Sequence, residues 1–177
     1  MSKYKDTIYA LSTPTGKSAI AVIRISGDQS LNTLKKISSI KKIIPNKTKL
    51  TLLKYQKEII DQVLVVFFKK PNSFTGEEMV EINCHGSTAI IAKISKTLEG
   101  LGLRLAEPGE FTRRSLINDK LDLLKTEGLV DLINSETEKQ RTMAISGYSG
   151  KLSNFVNETN KQLRLMLANT EALIDFS

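Results

Sequence analysis

The sequence has one cysteine, Cys84, one histidine, His85, and no tryptophan. A single thiol excludes an intrachain disulfide and a cysteine-based metal cage, so the stability of the chain has to come from packing. No apolar run approaches the roughly 18 residues that a membrane span requires. The opening Met1-Ser2-Lys3-Tyr4-Lys5-Asp6 leads into a strand-like segment instead of an apolar signal core, which predicts a cytoplasmic protein with no membrane attachment. Acidic residues are scarce at the front. Residues 1–57 carry twelve Lys or Arg against Asp6 and Asp28 alone, whereas the remainder is slightly acidic and the net charge is +7. That asymmetry points to a polyanionic partner, nucleic acid first. A lysine-rich solvated surface is the simpler alternative, because aromatic residues, 6% of the chain, interleave the charges only sparsely.

What is present is ordinary for a globular protein: 177 residues, 40% apolar and 25% charged, enough for one core of roughly 120 residues with a helical appendage. There are no internal repeats or low-complexity tracts. The first half reads as short strands separated by turn chemistry. Asp6 to Leu11 alternates, Ser12-Thr13-Pro14-Thr15-Gly16 is a turn cluster, and Ala19 to Ser26 is a β-branched strand closed by Gly27. Asp28 reads as the N-cap of a short helix through Lys36. Two strands follow, around 49–56 and 59–68, the second so continuously apolar that it fits a central position buried on both faces. A turn-rich loop spans Pro71 to Gly76, Met79 to Cys84 is another strand, and Ser87 begins an amphipathic helix that closes at Gly100 and Gly102. Leu103-Arg104-Leu105 is a last short strand.

Past Pro108-Gly109 the period changes from two to about 3.6, so the pattern predicts an α+β part followed by an all-α part. Helices are expected over Glu110–Leu116 and Leu121–Ile133, and Ser135-Glu136-Thr137-Glu138 offers a capping box for one long third helix. There Leu152, Phe155, Val156, Leu163, Met166, Leu167, Leu173 and Ile174 keep to one stripe, the mark of a helix packed on other helices. Only the short 121–133 helix is available to it, which predicts that the sequence is a fragment of a longer protein.

Three features invite a chemical reading. Gly16-Lys17-Ser18 resembles the end of a phosphate-binding loop, but the required earlier glycine is replaced by Leu11, and a β-branched strand follows where a helix should begin. Nucleotide binding at this loop is therefore rejected. Cys84 and His85, as neighbours on a strand, point to opposite faces and do not form a thiol–imidazole pair; His85 either stands at a pocket mouth or bonds a local acceptor. The third feature is Arg24, Glu81 and Lys120. Arg24 interrupts Val22-Ile23-Arg24-Ile25 and Glu81 interrupts Met79-Val80-Glu81-Ile82, and a charge inside such strands is costly unless it is paired or used. Periodicity alone leaves an Arg24–Glu81 salt bridge and a ligand site equally open.

Several blocks, in order along nearly the whole chain, together resemble the N-terminal region of the tRNA modification GTPase family known as MnmE or TrmE. They are Asp6-Thr7-Ile8, Thr13-Pro14-Thr15-Gly16, Ile23-Arg24-Ile25-Ser26-Gly27, and Pro71-Asn72-Ser73-Phe74-Thr75-Gly76-Glu77-Glu78. His85-Gly86, Glu107-Pro108-Gly109-Glu110-Phe111-Thr112, Asn118-Asp119-Lys120-Leu121-Asp122-Leu123 and Ala172-Leu173-Ile174-Asp175-Phe176 continue the series. The sequence departs from the family pattern at Thr15 and Lys17-Ser18-Ala19, where many relatives carry proline and a glycine-rich run.

The resemblance implies a folate-binding, dimerising domain over 1–118, similar to the tetrahydrofolate-binding part of the glycine-cleavage aminomethyltransferase, and the beginning of a helical domain over 119–177. It implies that Arg24, Glu81 and Lys120 contact a 5-formyl- or methylene-tetrahydrofolate. It further implies a role in adding a carboxymethylaminomethyl-type group at carbon five of the tRNA wobble uridine. The implied partners are a second copy of the chain, tRNA and the flavin-dependent MnmG (GidA) protein. GTP, magnesium and potassium belong to a GTPase domain that these residues do not include. Two alternatives stand beside this reading: a free-standing folate-dependent aminomethyltransferase-like protein, and a basic RNA-binding module.

Overall fold

The computed structural model describes residues 4–175. Met1-Ser2-Lys3, Phe176 at the end of the last family-like block, and Ser177 lie outside them. The chain divides into two compact units, residues 1–120 and 121–177.

The first unit is a six-stranded mixed sheet in the order β3-β4-β5-β2-β1-β6. Its strands are β1 (Ile8–Leu11), β2 (Ser18–Ser26), β3 (Lys49–Tyr55), β4 (Glu58–Phe68), β5 (Met79–Gly86) and β6 (Arg104–Leu105). Every pairing is antiparallel except β1 with β6. Helices α1 (Ser30–Ile37) and α2 (Thr88–Gly100) supply Leu34, Ile37, Ile94 and Leu98 to the core. These meet the inward residues of the strands, among them Ala21, Ile23, Ile25, Val63, Val65, Val80 and Ile82. The alternation of each strand thus commits one set of side chains to that core and leaves Arg24 and Glu81 in the intervening set. Helix α3 (Glu110–Ile117) closes the unit.

Three local expectations change. Asp28 does not cap α1: Gln29 holds the N-cap position without a side-chain bond, and Asp28 instead reaches Lys70 at 3.3 Å. The amide of Gln29 is satisfied by Thr7 Oγ1 at 3.1 Å, since Gly27 brings the two segments together. At φ +128, Gly27 could not carry a Cβ, which would stand 2.6 Å from Thr7 Oγ1 and 2.8 Å from Thr7 Cα. Ser87 is at the N-cap of α2 but makes no side-chain bond there. Strand β4 is one place in from the edge, not central, and its run is buried on one face only: Val63, Val65 and Phe67 point inward while Leu64 is 45% exposed.

In the second unit, Asp122 caps α4 (Leu123–Ile133) by accepting from the Lys125 amide at 2.8 Å. The single long helix expected after Ser135 is two helices, α5 (Glu138–Tyr148) and α6 (Lys151–Asp175). The capping box is Thr137 with Gln140, and Gly150, at φ +78, takes the left-handed turn that ends one helix before the next begins. Helices α4 and α5 approach through glycine: a Cβ on Gly128 would lie 2.5 Å from the Tyr148 nitrogen. The stripe on α6 is not packed. All eight of its apolar residues are exposed, from Val156 at 45% to Leu173 at 75%, and Ser153, near the start of α6, is the one buried described residue of that helix.

Candidate functional site

Arg24 on β2 and Glu81 on β5 are direct cross-strand partners. Both Arg24 Nε, at 2.9 Å, and Arg24 Nη2, at 2.6 Å, donate to Glu81 Oε1, while Oε2 accepts no hydrogen bond from the described residues. The two side chains are 26% and 21% exposed, so the pair is desolvated only in part. A pair at this depth contributes about 0–1 kcal/mol to stability, which leaves both groups open to exchange with a ligand. Two rings flank the guanidinium: its Cζ lies 5.3 Å from the centroid of Phe74 and 5.8 Å from that of Phe111. The site therefore offers a fork of donors, a carboxylate oxygen and two apolar ring faces within one small area.

Phe74 belongs to the turn-rich loop, and the rigidity of that loop comes from the strand beside it. Two residues beyond Arg24 on the same face of β2, the buried Ser26 hydroxyl meets Thr75 Oγ1 at 2.7 Å and donates to Glu77 Oε2 at 2.8 Å. From the other side, α3 donates Ser115 Oγ to the Phe74 carbonyl, and Asn118 donates to the Thr75 carbonyl, each at 2.7 Å. Lys120 follows immediately. Its amide bonds the Ser115 carbonyl at 2.9 Å after Asp119 takes a left-handed conformation. Gly76 lets the Lys120 stem pass close to the loop, because a Cβ there would lie 3.1 Å from Lys120 Cγ. Arg24 and Glu81 are thus in contact, whereas Lys120 touches neither through a hydrogen bond or ion pair and shares with them the loop that carries Phe74 and Gly76.

Behind the loop lies an ionic cluster that periodicity does not reveal. Arg114 of α3 is fully buried and meets Glu110 at 2.9 Å, Asp6 at 2.8 Å and Glu77 at 3.2 Å. Arg104 adds contacts to Glu110 at 2.7 Å and Asp6 at 2.6 Å. Burial alone would raise the Glu110 pKa, but the Arg104 hydrogen bonds, the Glu107 amide and Arg114 outweigh it and hold the carboxyl at about 2. Asp6 is also lowered, against its own burial, by Arg104 and Arg114. Glu110 and Arg114 are spaced i, i+4, which on a sequence reads as a solvated helix pair. Only the nearby acids, the buried Glu77 and the partly exposed Asp6, both distant in sequence, distinguish it.

The other two motifs lie apart from this site. Ser18, the end of the phosphate-loop-like tripeptide, opens strand β2 and not a helix. Cys84 is buried and approaches the Ala21 carbonyl at 3.5 Å, whereas His85, on the opposite face, bonds Asp61 through Nδ1 at 2.8 Å. Burial and the nearby Asp61 charge push the Cys84 thiol up to about 11. His85 lies four residues along β5 from Glu81, roughly 13 Å at strand rise.

The chain is thus a mixed α+β unit with a polar patch held by a braced loop, followed by an all-α unit. Residues 7–120 match the family model described as the GTP-binding protein TrmE N-terminus, and residues 123–177 match the one described as the MnmE helical domain. The chain belongs to the MnmE (TrmE) family. A tRNA modification GTPase MnmE of Fervidobacterium nodosum is 44% identical, covering 97% of this chain and 39% of the relative. The protein of that name from Rickettsia rickettsii (strain Sheila Smith) is 46% identical over the same shares, and that from Anaplasma phagocytophilum is 43% identical over 99% of this chain and 40% of its own length. The chain spans about two fifths of the length of these relatives.

Proposed function

We propose that residues 4–120 bind a reduced folate, 5-formyl- or methylene-tetrahydrofolate, within a protein that modifies the wobble uridine of tRNA. The observation that carries the reading is the partly exposed Arg24–Glu81 pair, flanked by Phe74 and Phe111, with Glu81 Oε2 uncommitted among the described residues. The chemistry of this donor set fits the group. A pterin presents a ring N–H and an exocyclic amine side by side, and a carboxylate accepts both in a two-point contact. The rings of Phe74 and Phe111 offer apolar faces to a flat ring system, and Arg24 and Lys120 supply cations for a ring carbonyl, a formyl oxygen or the glutamate tail.

When bound, the folate supplies the one-carbon unit. The residues of this chain hold and orient it: Glu81 fixes the edge of the pterin, Arg24 exchanges part of its contact with Glu81 for contact with the ligand, and the rings of Phe74 and Phe111 keep water from that face. None of these side chains is assigned a proton transfer. A homodimer and a flavin-dependent MnmG partner belong to the same reading. So does GTP hydrolysis with magnesium and potassium, which this reading assigns to the part of the relatives' length that the chain does not span.

Titration calorimetry of the 177-residue chain with 5-formyltetrahydrofolate tests the proposal. Glu81→Gln, which leaves one acceptor where two are needed, is expected to weaken binding by roughly 10- to 100-fold, the worth of a charged hydrogen bond. Lys120→Ala should give a smaller loss with unchanged far-ultraviolet circular dichroism. No binding by the unaltered chain, or equal binding by Glu81→Gln, overturns the reading.

A further inference from the structure

Between Asp28 and Glu58 the sequence contains eight lysines and no acidic residue. Six of them, Lys35, Lys36, Lys41, Lys42, Lys47 and Lys49, fall in the last turn of α1, the connector after it and the first residue of β3. All six are exposed, and none forms an ion pair among the described residues. The acids that bound the segment are occupied elsewhere, Asp28 by Lys70 and Glu58 by Lys93. Charge repulsion is therefore left standing over a stretch that ordinary surface pairing would have relieved.

The fold gathers these lysines. Ser38, just past α1, bridges to Leu53 of β3, and the Asn46 amide bonds the Phe67 carbonyl at 2.8 Å, so the connector is pinned against the β3–β4 edge of the sheet. Lys49 Nζ donates to the Lys42 carbonyl at 3.0 Å and draws the two ends of the connector together. The result is an open pocket of about 410 Å³ lined by Lys42, Ile43, Ile44, Lys47, Thr48 and Lys49. Ile44 is 55% exposed and provides an apolar surface between cations.

We infer that this lysine pocket is an RNA-docking surface, taking the phosphate backbone and one unstacked base of a single-stranded loop. Cations at the rim of a concavity match successive phosphates, and an apolar floor gives a base a face to rest on. An anionic bilayer shares the phosphate chemistry but is flat, and a concave pocket at a sheet edge does not fit it. The surface is separate from the Arg24–Glu81 site, and it extends the proposed function only in taking tRNA as the RNA.

The test is fluorescence anisotropy of an unmodified tRNA transcript with the 177-residue chain, across salt concentrations, alongside folate titration of the same samples. Lys41→Gln, Lys42→Gln, Lys47→Gln and Lys49→Gln combined should weaken RNA binding about 30-fold or more at moderate salt and lower the log–log salt slope by about 3, near 0.8 per lost phosphate contact. Lys161→Gln, on α6, should leave both unchanged. Folate affinity should be the same in all three proteins. The inference is overturned if the quadruple variant binds RNA within about threefold of the parent with the same slope, if the parent does not bind RNA, or if it binds phosphatidylserine vesicles in preference to RNA. Loss of folate binding with RNA binding intact refutes the proposed function and leaves this surface standing.

Discussion

Replacing Arg114 with Met keeps much of the volume and removes the one fully buried cation among the described residues of the first unit. The cost depends on what each acid retains. Glu110 keeps Arg104 at 2.7 Å, and Asp6 keeps Arg104 at 2.6 Å and is 41% exposed, so neither is stranded. Glu77 is 2% exposed and would keep its bond from the Ser26 hydroxyl but lose the guanidinium. Breaking one side of a buried ionic cluster costs about 3–5 kcal/mol. For a unit of this size that lowers Tm by roughly 10–20 °C at pH 7.

The pH dependence gives an independent check on Arg114→Met. In the native protein the Glu110 pKa is depressed to about 2 from an ordinary 4.5. Its contribution is therefore complete above the ordinary value and disappears as pH falls from about 4.5 towards 2, a change on the order of 3 kcal/mol. Acid thus weakens the parent more than a variant that has already lost part of the cluster, and the gap in Tm should narrow on going from pH 7 to pH 3. Scanning calorimetry at both values measures it. Combining Arg114→Met with Glu77→Gln should recover part of the loss at pH 7, since an amide tolerates burial better than a carboxylate left with less compensation. A gap below about 4 °C, or one that does not change with pH, would mean that the cluster is not the brace described.

Two further outcomes follow from packing. Gly128→Ala places a methyl 2.5 Å from the Tyr148 backbone nitrogen, which has no side-chain freedom to yield, and should destabilise the helical unit by about 1–3 kcal/mol; hydrogen exchange over 123–148 should accelerate while β2 and β5 stay protected. The Cys84 thiol, raised to about 11 by burial and by Asp61, should resist an aromatic disulfide reagent at pH 8 in the folded protein and react fully in denaturant; fast labelling of the folded chain would contradict the burial.

The legible parts of the sequence were those in which a local pattern has one solution. Alternation gave the strands, and a charge interrupting each of two apolar strands marked Arg24 and Glu81 as a pair or a site; the register makes them partners. The segment after Ser135 is two helices and not one because Gly150 sits at φ +78 before the stripe begins at Leu152, and nothing in apolar spacing reports that a glycine will take that conformation. Arg114 was missed because i, i+4 spacing from Glu110 has the same appearance on a solvated helix as in a buried cluster. The approach of Lys120 to the loop depends on two left-handed residues, Asp119 at φ +56 and Gly76 at φ +76, and neither position is readable from hydrophobicity.

The loop between Pro71 and Glu78 joins these cases. On one side Thr75 and Glu77 are tied to Ser26, and Glu77 to Arg114, in a setting without solvent; on the other, Phe74 lies over Arg24 and Gly76 makes room for Lys120. A turn-rich segment would ordinarily fluctuate, since loops carry few buried contacts. Here the acid that most needs burial to be compensated sits one residue from the glycine beside the lysine, so the same charges that hold the fold together also limit how far Phe74 and Lys120 can drift. Ordering these groups before a ligand arrives reduces the entropy that binding has to overcome. This accounts for a fully buried arginine in a small unit that an apolar residue could have filled: with Glu77 and Glu110 already committed to the interior, Arg114 is the group that keeps the loop in one position.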